Sequence, residues 1–238
     1  MYPRLSNYLQ FVSLVCLCLV GTMAHADWNP KDGHKMHEPQ LPNSSGLDVC
    51  LVHQPIADDF RCSQSGPITD IHFWVSWRGD REDFENVRWR ISLLSDERGQ
   101  PGELLWTWET GDGKLAYRQA GTGDQSWYCP PDGEPVRNDH KLFYQVNLTD
   151  IKRAFEQEKD QVYWLVLWAE NLSEAEVGWK TSTSKYLGSA VWYGRDRMWK
   201  PIEVAHDLAF VITGTEPEIP MDFGDAPDPT YPTLLSRD

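Results

Sequence analysis

This sequence of 238 residues lacks the usual features of integral membrane and nucleic-acid-binding proteins. Beyond its N-terminal segment it has no run of about 18 apolar residues, so we expect no membrane-spanning helix. Positive charge is also scarce, because 22 Lys and Arg residues are set against 36 Asp and Glu residues, giving a formal net charge of −14. A nucleic-acid backbone would repel such a chain, and we interpret the acidity as a solubilising surface.

Recognisable catalytic motifs are also missing. There is no G-x-S-x-G nucleophile elbow, and the glycines at 121 and 123 lack the lysine of a phosphate-binding loop. His34, His37 and Glu38 suggest part of a zinc-binding helix, but Pro39 would break that helix and a second histidine at the required spacing is absent. We therefore expect no enzymatic activity and no cofactor.

The N-terminal residues 1–26 are typical of a secretory signal peptide. Residues 9–20 are almost entirely apolar but too few to span a bilayer, and Ala24 and Ala26 form the small-x-small pattern of a cleavage site. Cleavage would leave Asp27 as the first residue of the mature chain. We expect the protein to be secreted, extracellular or associated with the cell surface.

Five cysteines occur, of which Cys16 and Cys18 lie in the predicted signal peptide. The mature chain keeps Cys50, Cys62 and Cys129, an odd number that cannot pair completely within one chain. Outside the cell a Cys50–Cys62 disulfide would close a short loop, worth about 3 kcal/mol by chain entropy. Pairing of Cys62 with Cys129 is the alternative.

Alternating apolar residues predict an all-β domain. In residues 71–77 and 87–93 every second side chain is apolar, the period of a strand with one buried face. Residues 162–169 (VYWLVLWA) are apolar on both faces, as expected of a central strand covered by a second sheet or by loops. The spacing of these strands by turns predicts a jelly-roll-like antiparallel β-sandwich.

The remaining segments complete the predicted domain organisation. Residues 27–48 are rich in turn-forming residues and predict an N-terminal arm, and residues 49–214 form the sandwich. Residues 151–159 are the single candidate for a short helix, with Thr149 or Asp150 as the N-cap. Residues 215–238 contain five prolines and predict an extended linker tail.

Asp58 and Asp59 are the one candidate metal site. Paired carboxylates at the entrance to a strand suit calcium, which prefers oxygen ligands. The regular series of oxygen ligands and the glycine of a calcium-binding loop are missing, however. We therefore favour a structural role, in which one carboxylate caps a turn and the other forms a surface ion pair.

Twelve tryptophans are the most unusual feature of the composition. A tryptophan on the outer face of a sandwich offers a large apolar surface and a polar N–H, which suits stacking on sugar rings. Trp77, Trp89, Trp106, Trp164 and Trp168 fall on faces that we predict to be core. The candidates for an exposed binding surface are Trp74 on the second face of its strand and three residues assigned to loops, Trp127, Trp192 and Trp199.

Several motifs resemble an uncharacterised secreted bacterial β-sandwich family. They are residues 57–60 (ADDF), 66–74 (GPITDIHFW), 101–106 (PGELLW), 177–182 (VGWKTS), 190–192 (AVW) and 207–214 (DLAFVITG). Residues 222–227 (DFGDAP) resemble a linker that opens a repeated module in large bacterial surface proteins. The resemblance implies an accessory domain of a larger secreted or surface protein and supplies no catalytic residues.

From the residues and this resemblance together we expect a non-enzymatic extracellular module. Its partner would be a polysaccharide or another cell-surface component, bound through exposed aromatic side chains. A glycoside hydrolase is one alternative, because an acidic chain can always supply two carboxylates at a suitable separation. A purely structural spacer domain is the other.

Overall fold

The computed structural model describes residues 27–131 and 134–214. The predicted signal peptide 1–26 and linker tail 215–238 lie outside the described residues. The prediction of an all-β fold is confirmed. In chain order the strands are β1 Leu47–Cys50, β2 Ile56–Arg61, β3 Gly66–Ile68, β4 Asp70–Trp77, β5 Val87–Asp96, β6 Pro101–Glu109, β7 Lys114–Tyr128, β8 Val136–Thr149, β9 Phe155–Gln157, β10 Val162–Asn171, β11 Val177–Lys180, β12 Val191–Tyr193, β13 Trp199–Pro201 and β14 Phe210–Thr213.

Two six-stranded sheets contain most of these strands. The first sheet has the order β11-β1-β7-β8-β4-β14 and the second has the order β13-β12-β2-β10-β5-β6, while β3 and β9 form a separate pair. Aromatic side chains from both sheets fill the space between them. Phe73 of β4, for example, packs edge-on against Trp89 of β5, with ring centroids 5.2 Å apart. The main core therefore lies between the two sheets.

The predicted alternation holds in the central strands. Ile71, Phe73, Val75 and Trp77 are all fully buried in the core, as the pattern in residues 71–77 predicts. The opposite face of β4 is not open to solvent, however, because Trp74 on that face is only 4 % exposed. Something other than the second sheet must cover this side of the first sheet.

The N-terminal arm covers part of that face. Trp28 packs edge-on against Trp74 with ring centroids 6.2 Å apart, and the Trp28 carbonyl accepts a hydrogen bond from Gln145 of β8 at 2.8 Å. Further along the arm, isolated bridges join Met36 to Cys62 and Gln40 to Phe210. The arm thus contributes buried side chains, including Trp28 and Met36, which the sequence does not predict.

The first sheet also closes on itself. Strand β11 bonds to β1 along one edge and to β4 along the other, so β11, β1, β7, β8 and β4 form a closed circuit that we call the strand ring. The parallel pairing of β1 with β7 is part of this circuit. Closure removes polar side chains from solvent. The buried polar residues contributed by these five strands include Asp48, Ser76, Gln125, His140 and Lys180.

The predicted helix at residues 151–159 is wrong. Asp150 has a positive φ of 58°, which turns the chain, and Phe155–Gln157 then pairs with Gly66–Ile68 as strand β9. In the described part of the chain the helical content is the single 3-10 turn Arg78–Asp80. No helix within residues 27–131 and 134–214 is long and apolar enough to cross a bilayer.

The structure does not contain the Cys50–Cys62 disulfide that we predict from sequence. Cys50, Cys62 and Cys129 are all free. Cys50 ends β1 in the first sheet, whereas Cys62 follows β2 in the second sheet, where its amide donates to the carbonyl of Gln161. Neighbours in sequence are thus separated because the chain changes sheets between them.

Candidate functional site

The outer face of the second sheet carries a second group of apolar side chains. Successive residues of a strand point to opposite faces, so Trp164, Val166 and Trp168 of β10 point away from the main core. Ala57, Trp164, Val166 and Val191 form a small cluster that is separate from the core between the sheets. An apolar outer face of this kind needs a cover or a partner.

A loop covers one end of this face. The amide of Gly188 donates to Oδ2 of Asp59 at 3.1 Å, and a Cβ on Gly188 would lie 3.9 Å from the indole of Trp164. Trp164 is accordingly fully buried, and its Nε1 donates to Asp96 at 2.9 Å. Four residues further along the strand, Trp168 lies beyond this loop and is only half-buried.

Trp168 lines a depression that we call the aromatic groove. The groove has a volume of about 310 Å³. Its walls come from β5, β6, β10, β12 and β13 and from the residue preceding β2. The lining residues are Pro55, Arg90, Ser92, Leu94, Gly102, Leu104, Val166, Trp168, Tyr193 and Trp199.

Tyr193 and Trp199 form the opposite wall of the aromatic groove. They are direct partners in the β12–β13 register, with ring centroids 5.0 Å apart and ring planes inclined at 57°. Both side chains are half-buried, so part of each ring remains accessible to a ligand. Three aromatic side chains from three strands therefore border the groove.

Arg90 fixes the polar side of the groove. Its guanidinium lies 4.9 Å from the centre of the Trp168 indole and donates to Glu109 at 2.7 Å. Nearby, the hydroxyls of Ser92 and Thr107 are hydrogen-bonded at 3.0 Å. These groups can donate and accept hydrogen bonds beside the aromatic rings.

A second depression adjoins the aromatic groove at Arg90 and Trp168. It also has a volume of about 310 Å³. Besides those two residues it is lined by Arg88, Trp89, Glu109, Thr110 and Glu170. The aromatic wall therefore continues into a surface with two arginines and two carboxylates.

Of the four tryptophans that we predict to be exposed, Trp199 is found in the groove. Trp192 is 9 % exposed and points to the core side, with Nζ of Lys200 5.3 Å from its ring centre. Trp74 and Trp127 are 4 % and 2 % exposed, so neither forms a binding surface. The arm covers Trp74, and closure of the strand ring encloses Trp127 against Gly178.

The sequence does not identify two other residues of the groove. Trp168 belongs to a strand that is apolar on both faces, and the alternation cannot show that the covering loop ends before this residue. Alternation along the sequence predicts that Leu104 shares one face of a strand with Trp106 and Trp108, yet Leu104 is 63 % exposed and Trp108 is buried. The β5–β6 register shifts at Leu94, which turns Leu104 to the outer face.

Asp58 and Asp59 point to opposite faces of β2 and do not share a site. Oδ2 of Asp58 accepts hydrogen bonds from Gln40 at 3.1 Å and from the amide of Leu208 at 2.6 Å. Burial raises the pKa of Asp58 well above its ordinary value and raises the pKa of Asp59 to about 6. Asp58 therefore ties the arm to the segment before β14.

No group of three or more His, Cys, Asp or Glu side chains within residues 27–131 and 134–214 is arranged to hold a metal ion. The calcium site at Asp58 and Asp59 stays a prediction that this geometry does not favour. Comparison with known proteins gives one family match: a domain of unknown function (DUF7901) covers residues 36–213. No curated protein and no solved structure matches the chain.

Proposed function

This chain belongs to the DUF7901 family of domains of unknown function, and from the geometry of its aromatic groove we propose that it is a non-enzymatic module that binds a polysaccharide. The observation that carries the proposal is the placement of Trp168 and Trp199 on separate strands, at one accessible groove on the outer face of the second sheet. Aromatic faces and nearby hydrogen-bonding groups together suit the apolar and hydroxyl faces of a sugar ring.

The polar groups of the groove support a sugar ligand. Arg90 and Ser92 line the groove with Trp168 and offer hydrogen-bonding groups, as an orienting set for hydroxyl groups would require. The Ser92 hydroxyl is itself hydrogen-bonded to that of Thr107. The continuation of the groove towards Arg88 and Glu170 gives space for more than one sugar residue. A polymer chain fits this elongated arrangement better than a single small molecule.

The ion pair between Arg90 and Glu109 favours binding over catalysis. Glu109 is the carboxylate that both adjoins Arg90 and lines the second depression, and its Oε1 accepts from Nε of Arg90 at 2.7 Å. The carboxylate of Glu109 is therefore engaged by the guanidinium of Arg90. Glycoside hydrolysis instead needs a carboxyl group that is free to give a proton to the leaving group.

The termini support an extracellular setting for this binding. The predicted signal peptide would export the chain, and the resemblance of residues 222–227 to a surface-protein linker implies attachment to further modules. We propose that the domain contacts polysaccharide on behalf of a larger secreted or surface protein.

The decisive experiment measures binding of the purified full chain to a panel of polysaccharides. The panel contains a neutral β-glucan, xylan, chitin and a uronate-containing pectin, and binding is measured by calorimetry and by pull-down on the insoluble polymers. We expect at least one polymer to bind and the Trp168→Ala/Trp199→Ala variant to lose about tenfold or more in affinity. Leu172→Ala, which removes an apolar side chain that is 53 % exposed elsewhere, is the control that should bind normally.

Two other outcomes would replace the proposal. Release of reducing ends from a bound polymer would favour the glycoside hydrolase. If no polymer binds, or if the double variant binds as well as the wild type, the aromatic groove is not a polysaccharide site and the spacer role becomes the better interpretation.

A further inference from the structure

The interior of the strand ring holds a buried group of charged side chains that the proposed binding function does not use. Asp48 of β1 and Lys180 of β11 are direct partners in the antiparallel register. Nζ of Lys180 lies 3.1 Å from Oδ2 of Asp48, and both side chains have no solvent exposure. His140 of β8 is equally buried, and its Nε2 lies 3.0 Å from the same Oδ2.

An ion pair in this position is costly to bury. Removing an ammonium and a carboxylate from water requires several kcal/mol for each ion, which their mutual attraction repays only with complete hydrogen bonding. Here Oδ1 of Asp48 is buried without a hydrogen-bond partner. A reaction that removes both charges would relieve this penalty.

We propose that Lys180 and Asp48 condense to an intramolecular amide bond, which cross-links β1 to β11, with His140 as the catalytic acid and base. The Nζ–Cγ bond forms, the Cγ–Oδ2 bond breaks, and one molecule of water leaves. An ammonium and a carboxylate become one neutral amide and water, so charge and atoms balance. The reaction needs no oxidant, reductant or other reactant.

The first step is proton transfer within the ion pair. The proton moves from Nζ to Oδ2 across the 3.1 Å contact, leaving a neutral amine beside a neutral carboxylic acid. Burial lowers the pKa of Lys180, and the charge and hydrogen bond of Asp48 offset this lowering only in part. The neutral amine therefore forms more easily than it would in water. A desolvated neutral lysine is an effective nucleophile.

His140 is placed at the oxygen that has to leave. After the amine attacks Cγ, Nε2 of His140 donates a proton to Oδ2, which departs as water, and takes up the remaining proton from the nitrogen. The other ring nitrogen, Nδ1, lies 3.1 Å from Oδ1 of Asp139, which holds the imidazole in this orientation. Burial disfavours the charged imidazole, but the contacts with Asp48 and Asp139 outweigh it and raise the pKa of His140.

Gln125 prepares the site for the product. Its Oε1 contacts Nζ of Lys180, and its Nε2 donates to the carbonyls of Lys141 at 2.6 Å and Gly123 at 3.3 Å. These two donated hydrogen bonds fix the orientation of the Gln125 side-chain amide, so that its oxygen faces Lys180. After condensation, Oε1 can accept a hydrogen bond from the N–H of the new amide bond, so that this buried donor is satisfied.

The position of the link suits an exported domain. Asp48 and Lys180 are 132 residues apart in the chain, so the amide would join β1 covalently to a strand near the end of the domain. A cross-link that closes so long a loop restricts the unfolded chain strongly. This inference is independent of the aromatic groove, which lies on the other sheet.

Mass spectrometry of the purified full chain tests the inference directly. Under denaturing and reducing conditions, the intact mass should be lower than that of the sequence by one water molecule. Trypsin should yield one branched peptide that joins residues 36–61 to residues 160–185, because the modified Lys180 is not cleaved. A succinimide formed at an Asp-Gly step would lose the same mass but would join no peptides, and would count against the proposal.

Variants separate the reacting residues from other buried groups. Lys180→Met and Asp48→Ala should keep the full mass and give no branched peptide. Lys35→Met is the matched control, because Lys35 is a second buried lysine, outside the strand ring, whose Nζ donates to the carbonyls of Ser65 and Pro67. This variant should retain the loss of water.

His140→Gln tests the catalytic step. We expect formation of the branched peptide to slow by about 100-fold, so that the linked fraction is low at harvest and rises during incubation. Wild-type chain that shows the full mass and no branched peptide after prolonged incubation would overturn the inference and leave Asp48 and Lys180 as a buried ion pair. Equal rates in wild type and His140→Gln would remove His140 from the mechanism.

Discussion

The thiol of Cys50 lies against the thiol of Cys129 and forms a hydrogen bond with it. The parallel pairing of β1 with β7 brings them together, because Val49 is opposite Tyr128, and Cys50 and Cys129 are the next residues along the chain. Residues beside each other on neighbouring strands are about 4.8 Å apart, within the range of Cα separations that a disulfide can bridge.

We predict that oxidation joins Cys50 to Cys129 and leaves Cys62 as a thiol. The hydrogen bond from Cys50 lowers the pKa of Cys129, which is half-buried and accessible to an oxidant. Its thiolate attacks glutathione disulfide and releases one glutathione, and Cys50 then displaces the second. Peptide mapping under non-reducing conditions should show this link in wild type and in Cys62→Ser. A Cys50–Cys62 peptide would contradict the prediction.

We predict that Gly178→Ala destabilises the domain by about 1–3 kcal/mol, because overpacking forces side chains or backbone to shift. A Cβ at this position would lie 2.7 Å from the indole of Trp127 and 3.2 Å from Cβ of Asp48. Urea denaturation measures the loss. Gly33→Ala, where a Cβ meets no atom within 4 Å, is the control that should change stability little. Equal effects of both substitutions would show that the contact with Trp127 is unimportant.

Asp59 should make the domain more stable at mildly acidic than at neutral pH. Burial raises the pKa of Asp59 from 3.8 to about 6, so the folded chain keeps a proton that the unfolded chain loses above pH 3.8. The contribution of Asp59 to the free energy of unfolding is constant below pH 3.8 and falls as the pH rises towards 6. Relative to wild type, Asp59→Asn should gain up to about 3 kcal/mol in free energy of unfolding between pH 4 and pH 7.

Denaturation at a series of pH values checks this prediction, and Asp196→Asn provides a control of opposite sign. The hydrogen bond from Lys200 lowers the pKa of Asp196, so the charged carboxylate stabilises the fold above pH 3.8. Replacing it should slightly reduce stability at neutral pH. Parallel curves for wild type and Asp59→Asn would show that burial of Asp59 has no effect on stability.

Trp28→Ala should cost about 3–5 kcal/mol of stability, the usual loss for a large buried aromatic side chain. Trp28 is 4 % exposed and joins the arm to Trp74 and Gln145. The half-buried Trp199 is the matched control, and Trp199→Ala should cost within about 1 kcal/mol. Urea denaturation and protease cleavage at Lys31 measure the two effects. Equal losses would mean that the arm adds no more stability than a groove residue.

Sequence patterns predicted the central strands because burial of one face leaves a period of two. Ile71 to Trp77 and Val87 to Leu93 show it, and both strands have the expected buried face. The helix predicted at residues 151–159 failed because a short apolar pattern is compatible with either structure, and pairing with Gly66–Ile68 decided for a strand. The predicted face of Leu104 was wrong for a related reason, because a one-residue shift in register moves side chains to the opposite face of the sheet.

The sites depended on contacts between distant segments. Tryptophan content alone suggested a binding surface and included Trp199, which lines the aromatic groove. It could not show that the arm covers Trp74 or that the loop at Gly188 stops short of Trp168. Cys129, Asp48 and Lys180 offered no local signal, because their partners come from strands far away in the chain.

The sequence by itself therefore determined an acidic, all-β domain with a core of alternating apolar residues, because local periodicity fixes which side chains must leave water. Only the tertiary structure decided which cysteine faces Cys50, which tryptophans stay accessible and which charges are enclosed together. Those outcomes depend on closure of the strand ring and on the path of the arm and loops, which long-range pairing and packing determine.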